Sequence, residues 1–440
     1  MDRLKEYTPF ALFFAWCIAL GGFLFGYHTA VIAGALSFIS HEFTLAVWQE
    51  GLAVSIILIG ALIGSVCAGM LADTFGRRRI VLATGILSIV GTIIQIAAPS
   101  FFVFIFGRFF TGISIGIISL VVPLYLAEIA PTAKRGSFVA LNQLAITIGI
   151  LGAYIVGFWF AKQSEWRPMI GFAILPAAIQ YIAMLFFPES PRWLIAHKHP
   201  EKAYAIFDKL SKNPKKRSAT EINSIGETNT QSMIPWRLLF RSPFIQPLII
   251  GTILSIFQQI TGINAVIYYA PKILQQAGYG SVSSALFASI AIGCINVLAT
   301  PLSAWLLDRV GRKPLLLIGS AFMTLSLGVL SFAFLYDSPW VHLLSISSLV
   351  LYVGCFALSL GPVTWVVLAE LYPLHMRGKA MSVAIFANWL FNYVVSFTFL
   401  DLMRGLGSAG IFFLYAVMGI LAFIFAYRYI PETMGKNLDT

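Results

Sequence analysis

Among the side-chain amides within apolar stretches of this 440-residue chain, where an unpaired polar group is costly, six are candidates for binding a ligand. They are Gln143, Gln258, Gln259, Asn264, Asn296 and Asn388. Because an amide both donates and accepts hydrogen bonds, it matches a hydroxyl group, which does the same. Together with Trp365, whose ring offers a face to C–H groups, the set comes from five stretches and favours a sugar-like ligand. The alternative is that each amide only joins helices by hydrogen bonds inside a membrane.

Two of these amides cannot share a site on a regular helix. Gln259 and Asn264 are five residues apart, which at about 100° per residue separates them by about 140° around the axis. Gly262 lies between them and can adopt backbone conformations that other residues avoid. We therefore predict that the helix is interrupted at Gly262, so that both amides face one ligand.

Two ionisable side chains, His28 and Arg108, lie deep within apolar stretches. Isolated ionisable groups at such a depth usually mark a substrate or ion path. Counted from predicted outer ends at residues 36 and 101, at about 1.5 Å per residue, both lie roughly 10–12 Å below the outer surface. We therefore expect the two side chains to meet.

The stretches that hold these residues have the length of membrane spans. The chain is 59% hydrophobic and 11% charged, whereas a soluble domain carries about 25% charged residues. A helix needs roughly 20 apolar residues to cross a hydrocarbon core about 30 Å thick. We predict twelve spans, at 9–36, 50–72, 80–98, 101–125, 139–160, 167–187, 243–271, 282–306, 314–336, 342–369, 378–400 and 408–430. The fold class is all-α integral membrane, which disfavours a soluble enzyme, a nucleic-acid-binding protein and a disulfide scaffold.

Lysine and arginine are distributed unevenly among the predicted loops. With the N-terminus in the cytoplasm, 24 of the 29 fall on the inner side and four on the outer side. The positive-inside rule therefore predicts that both termini are cytoplasmic. The net charge of +11 then reflects membrane topology and does not indicate a nucleic-acid partner. Four parts are expected: a six-helix bundle at 1–187, a cytoplasmic linker with short helices at 188–242, a second bundle at 243–430 and a cytoplasmic tail at 431–440.

The two halves are related by an internal repeat. The pattern Asp-x-x-Gly-Arg-Arg/Lys occurs at 73–78 and 308–313, an offset of 235 residues. Glu-x-x-Pro-x-x-x-Arg-Gly occurs at 128–136 and 370–378, an offset of 242, and Pro-Glu-Ser/Thr at 188–190 and 431–433, an offset of 243. Three matches at nearly constant offset, all on the predicted cytoplasmic side, indicate duplicated halves.

These motifs make the chain resemble the sugar porter family of the major facilitator superfamily. The resemblance rests on 69–79, 107–108, 123–136, 188–194, 258–264, 268–269, 361–378 and 431–436. It implies twelve helices in two pseudo-symmetric six-helix bundles, with a monosaccharide bound between them and carried by alternating access. The positions that it assigns to sugar binding are Phe25, Gln143, Gln258, Gln259, Asn264, Tyr268, Asn296, Phe356, Trp365, Asn388 and Trp389.

The resemblance also assigns charged residues of the repeated motifs to a cytoplasmic gate network. They are Asp73, Arg77, Glu128, Arg135, Asp308, Arg312, Glu370 and Arg377. From the residues alone, a basic turn of this kind also fits positive-inside topology without any gating role. Its repetition in both halves, with a glutamate available to the arginines of each half, favours a network that locks and releases the inner gate.

The resemblance is interrupted at His28. Proton-coupled members of the family have Asp at this position and animal facilitative glucose carriers have Asn, whereas Arg108 is kept. Three interpretations are open: a neutral imidazole hydrogen-bonds within the bundle as Asn would, it carries the coupled proton, or it contacts the sugar. Because Arg108 would repel a cationic imidazole, facilitated uniport is favoured over proton symport. Ile150 and Asn388, both Gln in xylose/proton symporters, favour a hexose such as glucose.

The remaining features narrow the class of protein. The spacings of histidine and cysteine fit no metal site, and the sequence has no phosphate-binding loop. We therefore expect that the protein is not an enzyme and that it binds no metal and no cofactor. A membrane sugar sensor that binds without transport is the alternative of another class, although such proteins tend to have longer cytoplasmic tails. We expect a monomer in the lipid bilayer of a cell membrane. The compact loops and the lack of an N-x-Ser/Thr sequon favour a bacterial inner membrane.

Overall fold

The computed structural model of the chain describes residues 9–130, 135–210, 235–336, 340–372 and 374–434. Seventeen helices and no strand occur in these ranges. The first nine are α1 (Pro9–Phe43), α2 (Val47–Phe75), α3 (Arg77–Ile96), α4 (Phe101–Ile129), α5 (Arg135–Ala161), α6 (Trp166–Gly171), α7 (Ile174–Phe186), α8 (Pro191–Ala196) and α9 (Pro200–Leu210). The others are α10 (Trp236–Leu239), α11 (Ile245–Ile260), α12 (Ile263–Gln276), α13 (Val282–Val310), α14 (Arg312–Leu335), α15 (Val341–Leu358), α16 (Leu360–Leu371) and α17 (Leu374–Tyr429).

Eleven helical segments in the described ranges are long and apolar enough to cross a membrane. The last of them, α17, has 56 residues. At 1.5 Å per residue it would be about 84 Å long, more than twice the ~30 Å of a hydrocarbon core. Gly407 interrupts it with a φ of 72°, so α17 supplies two crossings. The structure therefore has the twelve crossings that the sequence predicts.

Three crossings are each built from two helices, and two of these breaks position the site. Gly262 has a φ of 92° and a ψ of 11° and separates α11 from α12, which confirms the predicted interruption. The break between α15 and α16 lies at Ser359, two residues before the Gly361-Pro362 pair. Pro362 is the third residue of α16, and the first turn of a helix accepts proline because its N–H groups have no partner within the helix.

The first helix is longer than predicted. It continues past residue 36 to Phe43, and His28 lies 15 residues before that end. Arg108 lies seven residues after the start of α4. The polar residues Ser40 and Glu42 extend α1 beyond the apolar span, so distances from helix ends no longer assign His28 and Arg108 the same depth.

Close backbone contact fixes α1 against α5. A Cβ atom at Gly26 would lie 1.9 Å from the carbonyl oxygen of Ile146, and one at Gly149 would lie 2.1 Å from that of Phe23. Small residues at such points let transmembrane helices approach closely. This close packing of α1 against α5 holds Phe25 and His28, which lie on either side of the contact, at fixed positions in the first bundle.

The two bundles touch on the face opposite the turns at Gly76 and Gly311. Tyr154 on α5 donates its hydroxyl to the carbonyl oxygen of Ile267 on α12 at 2.8 Å. Near the start of α2, Glu50 forms an ion pair with Lys272 of α12. A hydrogen bond and an ion pair therefore join the two bundles directly at this face.

Candidate functional site

Four of the six predicted amides form one hydrogen-bonded chain in the second bundle. Asn264 Nδ2 donates to Gln259 Oε1 at 2.7 Å, and Gln259 Nε2 donates to Asn388 Oδ1 at 3.1 Å. Asn388 Nδ2 then donates to Gln258 Oε1 at 2.7 Å and to the carbonyl oxygen of Ser255 at 3.1 Å. Gln258, Gln259 and Asn388 are buried. The break at Gly262 makes the link between Asn264 and Gln259 possible.

The amide chain, defined as Asn264, Gln259, Asn388 and Gln258, ends at the second helix break. Gln258 Nε2 donates to the carbonyl oxygens of Leu360 at 2.8 Å and Gly361 at 2.9 Å, directly after Ser359. All its donors point the same way, and hydrogen bonds in such a series polarise one another. The chain thereby links the α11–α12 break to the α15–α16 break through side chains alone.

The other two amides lie apart from this chain. Gln143 is exposed on α5. It precedes Tyr154 by 11 residues, so at about 100° per residue the two differ by only about 20° around the helix. Gln143 therefore faces the second bundle, which Tyr154 reaches through Ile267. Asn296 is buried on α13, and its side chain forms no hydrogen bond to a described residue.

Predicted aromatic residues come from both bundles. The ring of Phe25 on α1 lies 5.8 Å from that of Trp389 on α17, with an angle of 36° between the planes. Because Trp389 follows Asn388, this contact joins the first bundle to the neighbourhood of the amide chain. Phe356 and Trp365 are half-buried before and after the break at Ser359.

Asn392 was missed in the sequence. It is buried on α17, one turn after Asn388, and its side chain interacts with the hydroxyl of the predicted residue Tyr268. Its Oδ1 also accepts a hydrogen bond from Ser396 Oγ at 3.2 Å. The i, i+4 spacing of two amides in one apolar span is a signal that could have identified it.

Amides and aromatic rings define what this region can do chemically. They can hydrogen-bond hydroxyl groups and stack on C–H faces, which suits a neutral polyol. Among the described residues, no group of three His, Cys, Asp or Glu side chains is arranged to hold a metal ion. The arrangement suits recognition and release of a ligand rather than bond-making.

His28 and Arg108 have separate partners. His28 Nε2 lies 2.8 Å from Ser88 Oγ on α3. Arg108 Nη2 donates to the carbonyl oxygen of Val54 at 3.5 Å, a long contact, and its Nε has no hydrogen-bond partner among the described atoms. Both side chains are almost fully buried. The expected meeting is thus limited to electrostatic proximity, since no hydrogen bond between them is among their described contacts.

The repeated charged motifs form one charge cluster in each bundle. Arg77 Nη2 lies 2.9 Å from Glu128 Oε1 and 3.0 Å from Asp73 Oδ1. In the second bundle, Arg312 Nη2 lies 2.7 Å from Glu370 Oε1. These bridges join helices within a bundle rather than between bundles.

Three further residues belong to the predicted gate network. Arg377 Nε donates to the carbonyl oxygen of Tyr372 at 3.0 Å. The side chains of Arg135 and Asp308 lie outside the described part of the chain.

Two glutamates absent from the predicted network complete these turns. Glu189 Oε1 accepts from the amide of Arg78 at 3.0 Å, and Glu432 accepts from the amides of Arg312 at 3.1 Å and Lys313 at 3.0 Å. Burial alone would raise the pKa of Glu432, but these amides and those of Thr433 and Met434 lower it below its ordinary value. The repeat of Pro-Glu-Ser/Thr after each sixth span was the signal for this role.

Glu432→Gln is expected to lower the thermal stability of the protein at pH 7.5. Because the pKa of Glu432 is lower in the folded state, its contribution is complete above the ordinary value of 4.5 and is lost as the pH falls through the folded pKa. The difference in melting temperature from wild type should therefore shrink in acid. Melting curves from pH 3 to 8, which cover the range below pH 4.5, measure this, with the exposed Glu201→Gln as control. A difference that stays constant across this range would contradict the assignment.

The family model described as "Sugar (and other) transporter" matches residues 14–440. The chain belongs to this sugar transporter family. It is 38% identical to the D-xylose transporter of Levilactobacillus brevis, over 99% of this chain and 95% of the relative. It is 39% identical to the glucose transporter GlcP of Staphylococcus epidermidis, over 96% and 94%, and 36% identical to the galactose-proton symporter of Escherichia coli K12, over 99% and 94%.

Solved structures agree with this membership. The xylose transporter XylE from E. coli, in a partially occluded inward open conformation, matches with a TM-score of 0.86 at 31% identity, covering 98% of this chain and 100% of XylE. The proton:xylose symporter XylE bound to 6-bromo-6-deoxy-D-glucose matches with a TM-score of 0.80 at 33% identity, covering 97% of each chain. The chain is a multi-pass membrane transporter with the major facilitator fold, and it is not an enzyme.

Proposed function

We propose that this sugar transporter carries a monosaccharide, with a hexose such as glucose favoured, and that it works by alternating access. The observation that carries the proposal is the amide chain, which ends at both helix breaks of the second bundle. A sugar hydroxyl can replace any of its amide contacts, because it donates and accepts as an amide does. The relatives named for xylose, glucose and galactose support this substrate class.

The sugar would bind between the bundles. Gln258, Gln259, Asn264 and Asn388 would supply hydrogen bonds from the second bundle, and Gln143 would supply them from the first. Phe25 and Trp389, in contact across the bundles, would bound one side of the sugar. The other members of the proposed set are Tyr268, Asn296, Phe356 and Trp365.

Alternating access would use the two faces in turn. The tyrosine and ion-pair contacts opposite the turns hold that face closed. On the other face the described arginine–glutamate bridges stay within each bundle. This pattern fits an inward-open state, and the higher TM-score against the inward-open XylE than against the sugar-bound one supports it. The gate residues, including Arg135, Asp308 and Arg377, would lock the inner face in the opposite state.

Glu50→Gln is expected to open the outer face more often. The change removes the half-buried ion pair with Lys272, which joins the two bundles. Position 54 lies one turn deeper in α2 than Glu50, so labelling of Val54→Cys by an impermeant maleimide should rise about fivefold. The measurement uses a variant lacking the four native cysteines. Arg167→Gln is the matched control, because it breaks an ion pair with Glu42 inside the first bundle. Equal labelling of Val54→Cys with and without Glu50→Gln would contradict the closure role.

For the coupling mode we propose facilitated uniport. His28 bonds a serine hydroxyl on α3, which is the contact expected of a neutral imidazole that replaces Asn. Proton symport is the second candidate, since XylE and the galactose relative are named as proton symporters. In that case His28 or another group would carry the proton, with Arg108 in support. A direct contact between His28 and the sugar is the third possibility.

We also propose where and how the protein works. The excess of Lys and Arg on the face of the turns supports cytoplasmic termini. The bacterial sources of the relatives support a bacterial inner membrane. One chain supplies both bundles and every residue of the proposed site, which supports function as a monomer in the bilayer. The boundaries 1–187, 188–242, 243–430 and 431–440 are proposed for its four parts.

Counterflow in proteoliposomes tests the proposal. Vesicles loaded with unlabelled glucose, galactose or xylose are diluted into the same radiolabelled sugar, without an ion gradient. We expect rapid transient uptake of at least one sugar, fastest for glucose, and none in protein-free vesicles or with L-glucose. Sugar-dependent thermal stabilisation without any exchange would instead indicate a sensor that binds without transport.

A further inference from the structure

A groove on the first bundle lies away from the proposed sugar site. It has a volume of about 370 Å³ and lies between α2 and α3, near the turn at Gly76. Leu71 and Phe75 line it from α2, Ala83 and Leu87 from α3, and Ile117 from α4. Phe75 is 49% exposed. Exposed apolar residues on membrane-crossing helices face lipid, so the groove opens to the bilayer.

One basic residue lines the groove. Arg79 is exposed in the first turn of α3, and it forms no hydrogen bond or ion pair to a described residue. Its two neighbours are engaged: Arg77 bonds Glu128, and Arg78 donates to the carbonyl oxygen of Met184 at 2.8 Å. The guanidinium of Arg79 is therefore available to an anion from outside the protein.

The turn itself does not require this charge. Gly76 and Gly311 have nearly the same conformation, with φ of 92° and 95° and ψ of 155° and 166°. At the offset of 235 residues, the position of Arg79 corresponds to Pro314 in the second half. The same turn thus forms without a basic residue there, so folding of the turn does not explain Arg79.

The dimensions of the groove match one lipid chain. Arg79 is in the first turn of α3, and Leu87 lies eight residues further into the span. At 1.5 Å per residue the groove extends about 12 Å along the helix, close to the ~15 Å thickness of one leaflet. A phosphate beside Arg79 would therefore lie at the membrane surface with its acyl chain beside Leu87.

We propose that this groove binds an anionic phospholipid, with the acyl chain along Phe75, Ala83 and Leu87 and the headgroup phosphate on Arg79. A guanidinium binds phosphate oxygens through two parallel hydrogen bonds. A lipid with net negative charge fits better than a zwitterionic one, because Arg79 has no carboxylate partner among the described residues. In the predicted topology this is the cytoplasmic leaflet, whose anionic lipids attract basic residues next to membrane spans.

Native mass spectrometry of the full-length protein in detergent tests the proposal. The protein is titrated with phosphatidylglycerol, with phosphatidylcholine of the same acyl chains, and with inorganic phosphate. Arg79→Gln removes the charge, and Ala83→Trp fills the groove while keeping Arg79. Arg309→Gln is the matched control, since Arg309 is also an exposed cytoplasmic-side arginine but stacks on Trp305 at 4.2 Å.

We expect wild type to retain one phosphatidylglycerol in preference to phosphatidylcholine. Arg79→Gln should weaken this binding about fivefold, Ala83→Trp should weaken it as much, and Arg309→Gln should leave it unchanged. Phosphatidylglycerol binding that is equal in wild type and Arg79→Gln would overturn the proposal, whether or not Ala83→Trp is stable in detergent. If Ala83→Trp binds phosphatidylglycerol as wild type does, or if inorganic phosphate binds as well as the lipid, Arg79 is an anion site without a lipid groove, which also overturns it.

Discussion

Asn388→Ala is expected to reduce the exchange efficiency of the preferred sugar by about 10- to 100-fold. The change removes the central link of the amide chain and leaves Gln258 Oε1 and Gln259 Nε2 without their partners. Unsatisfied buried polar groups cost about 1–3 kcal/mol each. The loss should appear mainly in the KM of exchange, because the affected groups are those proposed to hold the sugar. Initial rates of counterflow over a range of sugar concentrations measure it.

Gln95→Ala is the matched control for this variant. Gln95 is also a buried amide, and its Nε2 donates to Thr111 Oγ1 at 2.8 Å and to a carbonyl oxygen of its own helix within the first bundle. It should cost comparable thermal stability while leaving KM within about twofold of wild type. If Asn388→Ala melts earlier but keeps a wild-type KM, the amide chain only joins helices.

His28→Asp is expected to convert passive exchange into proton-driven accumulation. The change puts a carboxylate near the buried guanidinium of Arg108, whose Nε has no described partner. An acidic group within electrostatic reach of Arg108 can pair with it when ionised and release it when protonated. Proton binding is then coupled to the conformation of the first bundle. An inward gradient of one pH unit can then drive accumulation of up to about tenfold. Steady-state uptake in proteoliposomes with and without this gradient gives the result.

His28→Asn is the paired variant. Asparagine can keep the hydrogen bond to Ser88 without titrating. We therefore expect exchange within about twofold of wild type and no accumulation. If wild type accumulates sugar and His28→Asn loses accumulation while keeping exchange, His28 itself carries the proton and uniport is wrong.

Hydropathy and a few special residues were enough to predict most of the fold. Apolar runs predicted twelve helical crossings, because a segment inside the membrane must form its backbone hydrogen bonds within itself. The interruption at Gly262 followed from the angular separation of Gln259 and Asn264, which a straight helix could not reconcile. The helix ends were less accurate, since α1 continues to Phe43 through polar residues that hydropathy does not count.

The residues of the candidate site could be named from the sequence, but their partners could not. Gln258 donates to carbonyl oxygens that are freed by the helix break at Ser359, and this contact depends on how α11 packs against α16. The separate partners of His28 and Arg108 depend on how α1, α3 and α4 pack, which span ends do not determine. Glu432 was overlooked because its role depends on amides that are far away in the chain.

The most direct test of the account is sugar uptake by purified protein in proteoliposomes, with and without an imposed inward proton gradient. Glucose, galactose and xylose form the panel. The account predicts that glucose enters and equilibrates under both conditions without exceeding its outside concentration. Accumulation that collapses with a protonophore would contradict the uniport mechanism. No movement of any panel sugar under either condition would contradict the monosaccharide carrier itself.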